Sequence, residues 1–309
     1  MFYPTSGGQQ NDIGTLSIEG ERYDVVDCQK AGHCVLHFLD REVLQTDQEL
    51  VGKAVQGFVD ETRRNELTIH HTAAHIVFAS SRRVLGPHVW QNSSNTTNSQ
   101  AHLDITHYAS LTKEEIIKIQ DGANRIVMSG KNINKSLMPK SEAEKQFGFT
   151  LYQGGIVPGN ELRVVDIDGT DVEACCGTHC DNTTEVGWIK ILATKRIADG
   201  IVRLYFVAGE RAIDCLNAET HVINDLSEMW GITLNEIVPT ASRFFNRYKK
   251  FKGDIEDQKK AMLALQVRYA CDSEKLRKVV YASSQPNSTL YFRNLDSKAA
   301  LIKVSYIFS

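Results

Sequence analysis

Residues 61–87 read ETRRNELTIHHTAAHIVFASSRRVLGP. Leu67, Ile69, Ala73, Ala74, Ile76, Val77 and Val84 recur at helical spacing, and Gly86-Pro87 stops the run, so a helix is expected over 61–85. It contains His71-Thr-Ala-Ala-His75. Residues four apart share a helix face, so both imidazoles can point at one ion. Ten histidines in 309 residues make such pairs common by chance. The alternative is a pair of partly buried histidines beside an apolar face.

A second segment changes the weight of the first. Residues 173–180 read Glu-Ala-Cys175-Cys176-Gly-Thr-His179-Cys180. Thiolate and imidazole are good zinc ligands, and zinc takes four such donors in a tetrahedron. The plainer reading is a cysteine run at a strand end, with a surface turn at Gly177-Thr178. A His-x3-His helix and a Cys/His turn in one chain reinforce each other. In an extended segment Cys175 and Cys176 face opposite ways, so only one of them ligates easily. Spacing does not choose among Cys175, Cys176 and Cys180.

Upstream, residues 13–59 carry short runs rich in branched residues, IGTLSIEG, YDVVDC, HCVLHFL and ELVGKAVQGFV, divided by Gly, Asp and Asn. They suit short antiparallel strands closing as in a small barrel. SGGQQNDIG, residues 6–14, has paired glycines that allow close backbone approach to a ligand, although a tight turn between strands is the simpler account. Downstream, strands are expected at His88–Trp90, His102–Thr106, Ile133–Leu137, Leu162–Ile167, Gly187–Leu192 and Ile201–Val207, with NSSNTTNS as a polar loop. Thr112 and Glu115 have capping-box spacing for a helix reaching about Ser129.

From Glu210 the composition turns helical. Leu216, Val222, Ile223, Leu226, Met229 and Trp230 form one stripe that ends near Gly231. Ile237, Ala241, Phe244, Tyr248, Phe251, Ile255, Gln258, Met262, Leu265 and Tyr269 then alternate in steps of four and three, a heptad seam. It must pack on the preceding helix or on a second chain. Pro239 is tolerable only in the first turn. The basic-aromatic run Arg243–Lys252 fits a packed seam with a solvated basic face better than a nucleic-acid surface, with weak tRNA contact as the alternative. The tail 273–309 ends inside the apolar run ALIKVSYIF, as if cut before its natural end, and the barrel is expected to lack its first strand.

In order, FYPTSGGQQNDIG, RNELTIHHTAAHIVFASSRRVLGPHVWQ, LDITHY, DVEACCGTHCDNTTEVGWIKI and RIADGIVRLYFVAGERA resemble the editing half of alanyl-tRNA synthetases of archaeal and eukaryotic type. The resemblance covers the first two thirds of the chain, and more weakly the family's dimerisation helices and the start of its C-terminal globular domain. It implies zinc ligands at His71, His75, Cys175 and His179, and polar residues near the substrate at Gln9 and Gln91. It implies hydrolysis of Ser or Gly mischarged on tRNA(Ala), with zinc either activating water or only positioning the substrate. Cys176 and Thr184 stand where the family has Gly, and Asn92-Ser93-Ser94 replaces a usual Lys-Gly-Ser. The ATP-binding aminoacylation core is not expected in this segment.

The expected architecture is α+β, in four parts. Residues 1–60 form a partial barrel, 61–209 the zinc-containing editing core, 210–272 the helical dimerisation region, and 273–309 the start of a further domain. Composition agrees with this reading. The chain is 42% hydrophobic and 24% charged, with no apolar stretch of membrane-spanning length and no secretory leader at its start. Seven cysteines, an odd number, point to a reducing, cytoplasmic setting and a metal site rather than a disulfide framework. A net charge of −3 means that a nucleic-acid partner must be met by local basic patches. A non-catalytic tRNA-binding or oligomerisation module with structural zinc is the alternative.

Overall fold

The computed structural model describes residues 1–32, 34–42, 52–152, 154–155, 157, 159–272, 290–292 and 302–304. Two compact units divide the chain, Met1–His221 and Val222–Ser309.

The first unit opens with strands β1 (Gly14–Ile18), β2 (Glu21–Ala31), β3 (Cys34–Leu39) and β4 (Val55–Val59). They pair antiparallel in the order β3-β2-β1-β4. Among the described residues this is an open sheet with β3 and β4 as its edges. Residues 49–51 of the expected last strand lie outside the described residues. Alternation buries Tyr23 and Val25 while Asp24 and Val26 face out, and Phe2 from the chain start packs on Val25 and Cys28.

Helix α1 (Glu61–Leu85) follows, capped by the Asp60 side chain accepting from the Arg63 amide. It is buried almost all round from His70 to Ser81, as a central core helix must be. Strand β5 (Gln91–Thr96) then pairs with β6 (Ala101–Thr106). This differs from the sequence reading, which put a strand at His88–Trp90 and a loop over NSSNT. Val89 is buried without a strand, and the polar run is recruited to a sheet edge because β6 offers it a ladder and solvent accepts its side chains.

Helix α2 (Lys113–Met128) forms with its Thr112–Glu115 capping box complete. Strand β7 (Ile133–Pro139), helix α3 (Lys140–Phe147), strand β8 (Glu161–Ile167) and strand β9 (Asp171–Ala174) follow, and the three strands make a sheet in the order β7-β8-β9. Helix α3 was not anticipated, and β9 only as the strand end in the plainer reading of the cysteine run. The helix has eight residues with only Ala143 buried, and the strand has four, so neither carries a readable period. Strands β10 (Ile189–Ala198) and β11 (Ile201–Ala208) complete the main antiparallel sheet, β10-β11-β6-β5. The principal core joins Ile76, Val77 and Phe78 of α1 and Ile119 of α2 to Leu103, Leu204 and Phe206 of this sheet.

Helix α4 (Glu210–Trp230) stops at Gly231, which takes the left-handed φ of 62°. Helix α5 (Ile237–Asp272) has 36 residues, carries the heptad seam, and has Pro239 in its first turn. Beyond it, the tail is described only at the pair β12 (Leu290–Phe292) and β13 (Ile302–Val304). Among the described residues no helix is long and apolar enough to cross a membrane.

Candidate metal centre

Helix α1 presents His71 and His75 from one face, and the segment after β9 brings Cys175 and His179 to them. Their ligand atoms all lie within 4.8 Å of one another. Cys175 Sγ is 3.4 Å from His71 Nε2 and 3.2 Å from His179 Nε2. Tetrahedral zinc, with bonds of about 2.0 Å to nitrogen and 2.3 Å to sulfur, spaces such donors about 3.4–3.6 Å apart. The donor set and its spacing therefore fit zinc. Cys176 is exposed, and Cys180 is buried with its amide on Thr72 Oγ1 at 3.1 Å. Among the described residues, Cys175 is the cysteine that joins the histidines.

Each ligand is held from behind. Gln9 is fully buried, and its Oε1 meets His71 Nδ1 at 2.7 Å. The same oxygen accepts from the Thr178 amide at 3.0 Å, while Gln9 Nε2 donates to Thr178 Oγ1 at 3.0 Å. A proton on Nδ1 donated to Gln9 leaves Nε2 as the metal-facing nitrogen. Gln9 reaches this position because Ser6 and Gln9 exchange backbone bonds around Gly7 and Gly8. A Cβ on Gly8 would lie 2.5 Å from Ser94 O, so a glycine is required where the turn meets β5. The tight-turn reading of SGGQ is thus correct, and the turn delivers a side chain to the histidines. Gln91, the other expected polar residue, is half-buried at the start of β5, the strand whose Thr96 bonds Gly8 and Gln10.

Arg163 Nη1 donates to the carbonyls of Cys175 at 2.7 Å and Gly177 at 2.9 Å, clamping the turn. Gly177 allows the closest approach. A Cβ there would stand 2.0 Å from His71 Cε1. Lys135 Nζ donates to the His179 carbonyl at 2.9 Å and pairs with Asp181. Thr72 Oγ1 is 3.4 Å from His179 Nδ1. Behind His75 lie two buried carboxylates. His75 Nδ1 is 3.3 Å from Asp171 Oδ2 and 3.4 Å from Glu173 Oε2.

The electrostatics follow from this crowding. Burial pushes the Cys175 thiol up, but His71, His179 and His75 outweigh it and hold the thiol well below its ordinary value. Burial drives His179 down to about 3, favouring the neutral imidazole that a metal needs. Burial also disfavours the His75 imidazolium, but Glu173 and Asp171 reverse the direction and raise it. Glu173 is raised chiefly by burial, which the His75 charge only partly offsets. Tyr3, also unanticipated, has its hydroxyl raised by burial and by nearness to Cys175 and Cys176.

The two departures from the family turn are accommodated. Among the described residues Glu19 is the only non-glycine with positive φ, so neither Cys176 nor Thr184 occupies a backbone state that demands glycine. Of the functional side chains the sequence reading missed, Asp171 and Glu173 had a readable signal. They stand two apart in a strand, so they share a face, although nothing in the sequence assigns that face to His75.

With this geometry in place, comparison defines the class. Residues 162–205 match the threonyl and alanyl tRNA synthetase second additional domain, and residues 1–63 match tRNA synthetases class II (A). The second match revises one expectation, because the first 63 residues do fall within a class II synthetase region. The chain is 40% identical over 278 residues to the alanine--tRNA ligase of Thermococcus kodakarensis, covering 90% of this chain and 30% of that protein. It is 40% identical over 269 residues to that of Methanopyrus kandleri, 87% and 29% respectively. It is 42% identical over 260 residues to that of Methanococcus vannielii, 84% and 28%. Over most of its own length the chain is thus about 40% identical to archaeal alanine--tRNA ligases, and it spans about 30% of the length of the curated relatives it matches.

Proposed function

We propose that this segment hydrolyses the ester joining Ser or Gly to the terminal ribose of tRNA(Ala), at a zinc centre held by His71, His75, Cys175 and His179. The observation that carries the reading is the convergence of those four donors inside the region matching the second additional domain. A pocket built for alanine rejects a smaller glycine, or a serine with one added hydroxyl, by only about 10²-fold, so a second hydrolytic site is needed. Zinc, when bound, supplies a Lewis-acidic positive charge beside the ester.

The chain's own residues supply the rest. Gln9 fixes the His71 tautomer and ties the N-terminal turn to Thr178. Arg163 holds the Cys175–Gly177 backbone in place. Gln91, at the start of β5, is assigned to substrate contact on the family resemblance, together with Gln9 and its partner Thr178. No aminoacylation is proposed for this segment alone. The four-part division at residues 60, 209 and 272 and a cytoplasmic setting belong to the same proposal.

A homodimer through α5 belongs to the same proposal. Phe244, Tyr248, Phe251, Ile255, Met262 and Leu265 are all exposed in the single chain, as an unpaired seam would be. Phe251→Asp should shift the mass in sedimentation from dimer to monomer.

The test of activity is release of serine from Ser-tRNA(Ala) by zinc-loaded protein. Loaded protein that releases none argues against editing. One observation favours the alternative of structural zinc, namely that four protein donors fill a tetrahedral shell. His75→Ala separates the two. A folded but inactive variant supports editing, and an unfolded one supports a structural ion.

A further inference from the structure

We propose that Asp171 and Glu173 are positioning residues for His75, a carboxylate pair that aims its imidazole at the metal. The inference rests on the metal reading above and extends it to residues outside the four ligands.

The two carboxylates come from one strand face of β9, with their side chains 10% and 5% exposed, and both address the same nitrogen. His75 Nδ1, Asp171 Oδ2 and Glu173 Oε1 are buried and form no hydrogen bond among the described residues. Buried carboxylates without donors are costly, and a chain retains them where a proton or cation nearby repays the cost. Among the described residues no lysine or arginine is paired with either of them. The group they face is the imidazole. A proton on His75 Nδ1 satisfies one carboxylate, fixes the tautomer and leaves Nε2 for the ion, the arrangement by which carboxylates raise the donor strength of metal-bound imidazoles.

The three histidines are then held unequally. His75 has two carboxylates behind it, and His71 has the Gln9 amide oxygen at 2.7 Å. Among the described residues, His179 Nδ1 meets only Thr72 Oγ1, at 3.4 Å, a hydroxyl that already donates to Thr68 O at 2.8 Å. The carboxylate-backed His75 is therefore the anchor of the set.

The experiment compares the full chain with Asp171→Asn, Glu173→Gln and the double variant, all close in shape to the original. Zinc affinity is read by competition with a chromophoric chelator. The ligand field is read from the visible bands of the cobalt-substituted protein, and folding from the melting temperature of chelator-stripped protein. Each single variant should weaken zinc about 10–100-fold, and the double variant more. The cobalt bands should shift, while the stripped proteins should melt close to wild type because each variant keeps the shape of the side chain it replaces. The inference is overturned if the double variant holds zinc as tightly as wild type. It is equally overturned if affinity falls only in step with the melting temperature of the stripped protein and the cobalt bands stay put. Wild-type protein that takes up no zinc sinks the metal reading and this inference together. Wild type that binds, with variants that bind equally, sinks this inference alone.

Discussion

Replacing Gly177 with alanine should disable the metal centre while sparing the backbone. Gly177 is not among the positive-φ glycines, so alanine meets no dihedral penalty there. The obstacle is the His71 ring. The new Cβ would stand 2.0 Å from Cε1, 2.2 Å from Nδ1 and 3.0 Å from Nε2. Non-bonded carbons rest about 3.5–4.0 Å apart, so ring and turn must separate by about 1.5 Å. The ring is tethered by Gln9 at 2.7 Å, and the turn by two Arg163 bonds, so neither yields without losing a contact. Overpacking of this kind costs about 1–3 kcal/mol. Relief by swinging the imidazole away removes one of four donors, a larger loss than a supporting residue's 10–100-fold. Zinc affinity should therefore fall by about 100-fold or more, or about 2.7 kcal/mol. Chelator competition measures it directly, and circular dichroism confirms that the variant is folded. A folded Gly177→Ala protein holding zinc at wild-type affinity would refute the reasoning.

Other outcomes follow from the same structure. Asp104 is 2% exposed and paired with Arg203, Nε to Oδ1 at 2.6 Å, so Asp104→Ala should destabilise by about 2 kcal/mol in urea, less than a fully buried pair because Arg203 reaches solvent. Thr112→Ala removes the cap of α2 and should cost about 1 kcal/mol. Glu115 is held below the ordinary carboxylate value by the Thr112 amide, so its contribution is complete above about pH 4.3 and is lost as pH falls through the lower folded value. Glu115→Gln should flatten that acid limb in stability-versus-pH curves, and an unchanged slope would contradict the assignment. Gly253 lies inside α5 with open space where a Cβ would go, so Gly253→Ala should raise the helix's melting temperature by an amount equal to about 1 kcal/mol.

The elements legible in advance were those with a long period or a defined cap. Helix α1 shows its 3.6 spacing through apolar residues, α2 announces itself by Thr112 and Glu115, and α5 by its heptads. Strand β5 was illegible because nothing in NSSNT favours a strand; its partner β6 imposes one. The ligand set was readable as two short motifs plus a family pattern, since each motif is local. The supporting residues were not. Gln9 meets Thr178 across 169 positions, and no periodicity announces a pairing of that span. Asp171 and Glu173 were visible only as acidic residues two apart, without a reason to assign them to His75.

The distance along the chain between the two motifs has a consequence for folding. His71 and Cys175 are separated by 104 residues, so an ion gripping both closes a very large loop. In the chain-entropy picture, a cross-link around about 100 residues removes about 4–5 kcal/mol of freedom from the unfolded ensemble. A protein whose described cysteines are all free would thus obtain from one metal atom the kind of constraint that secreted domains obtain from a disulfide. Unlike a disulfide, that staple opens and closes with the metal supply rather than with the redox state of its surroundings.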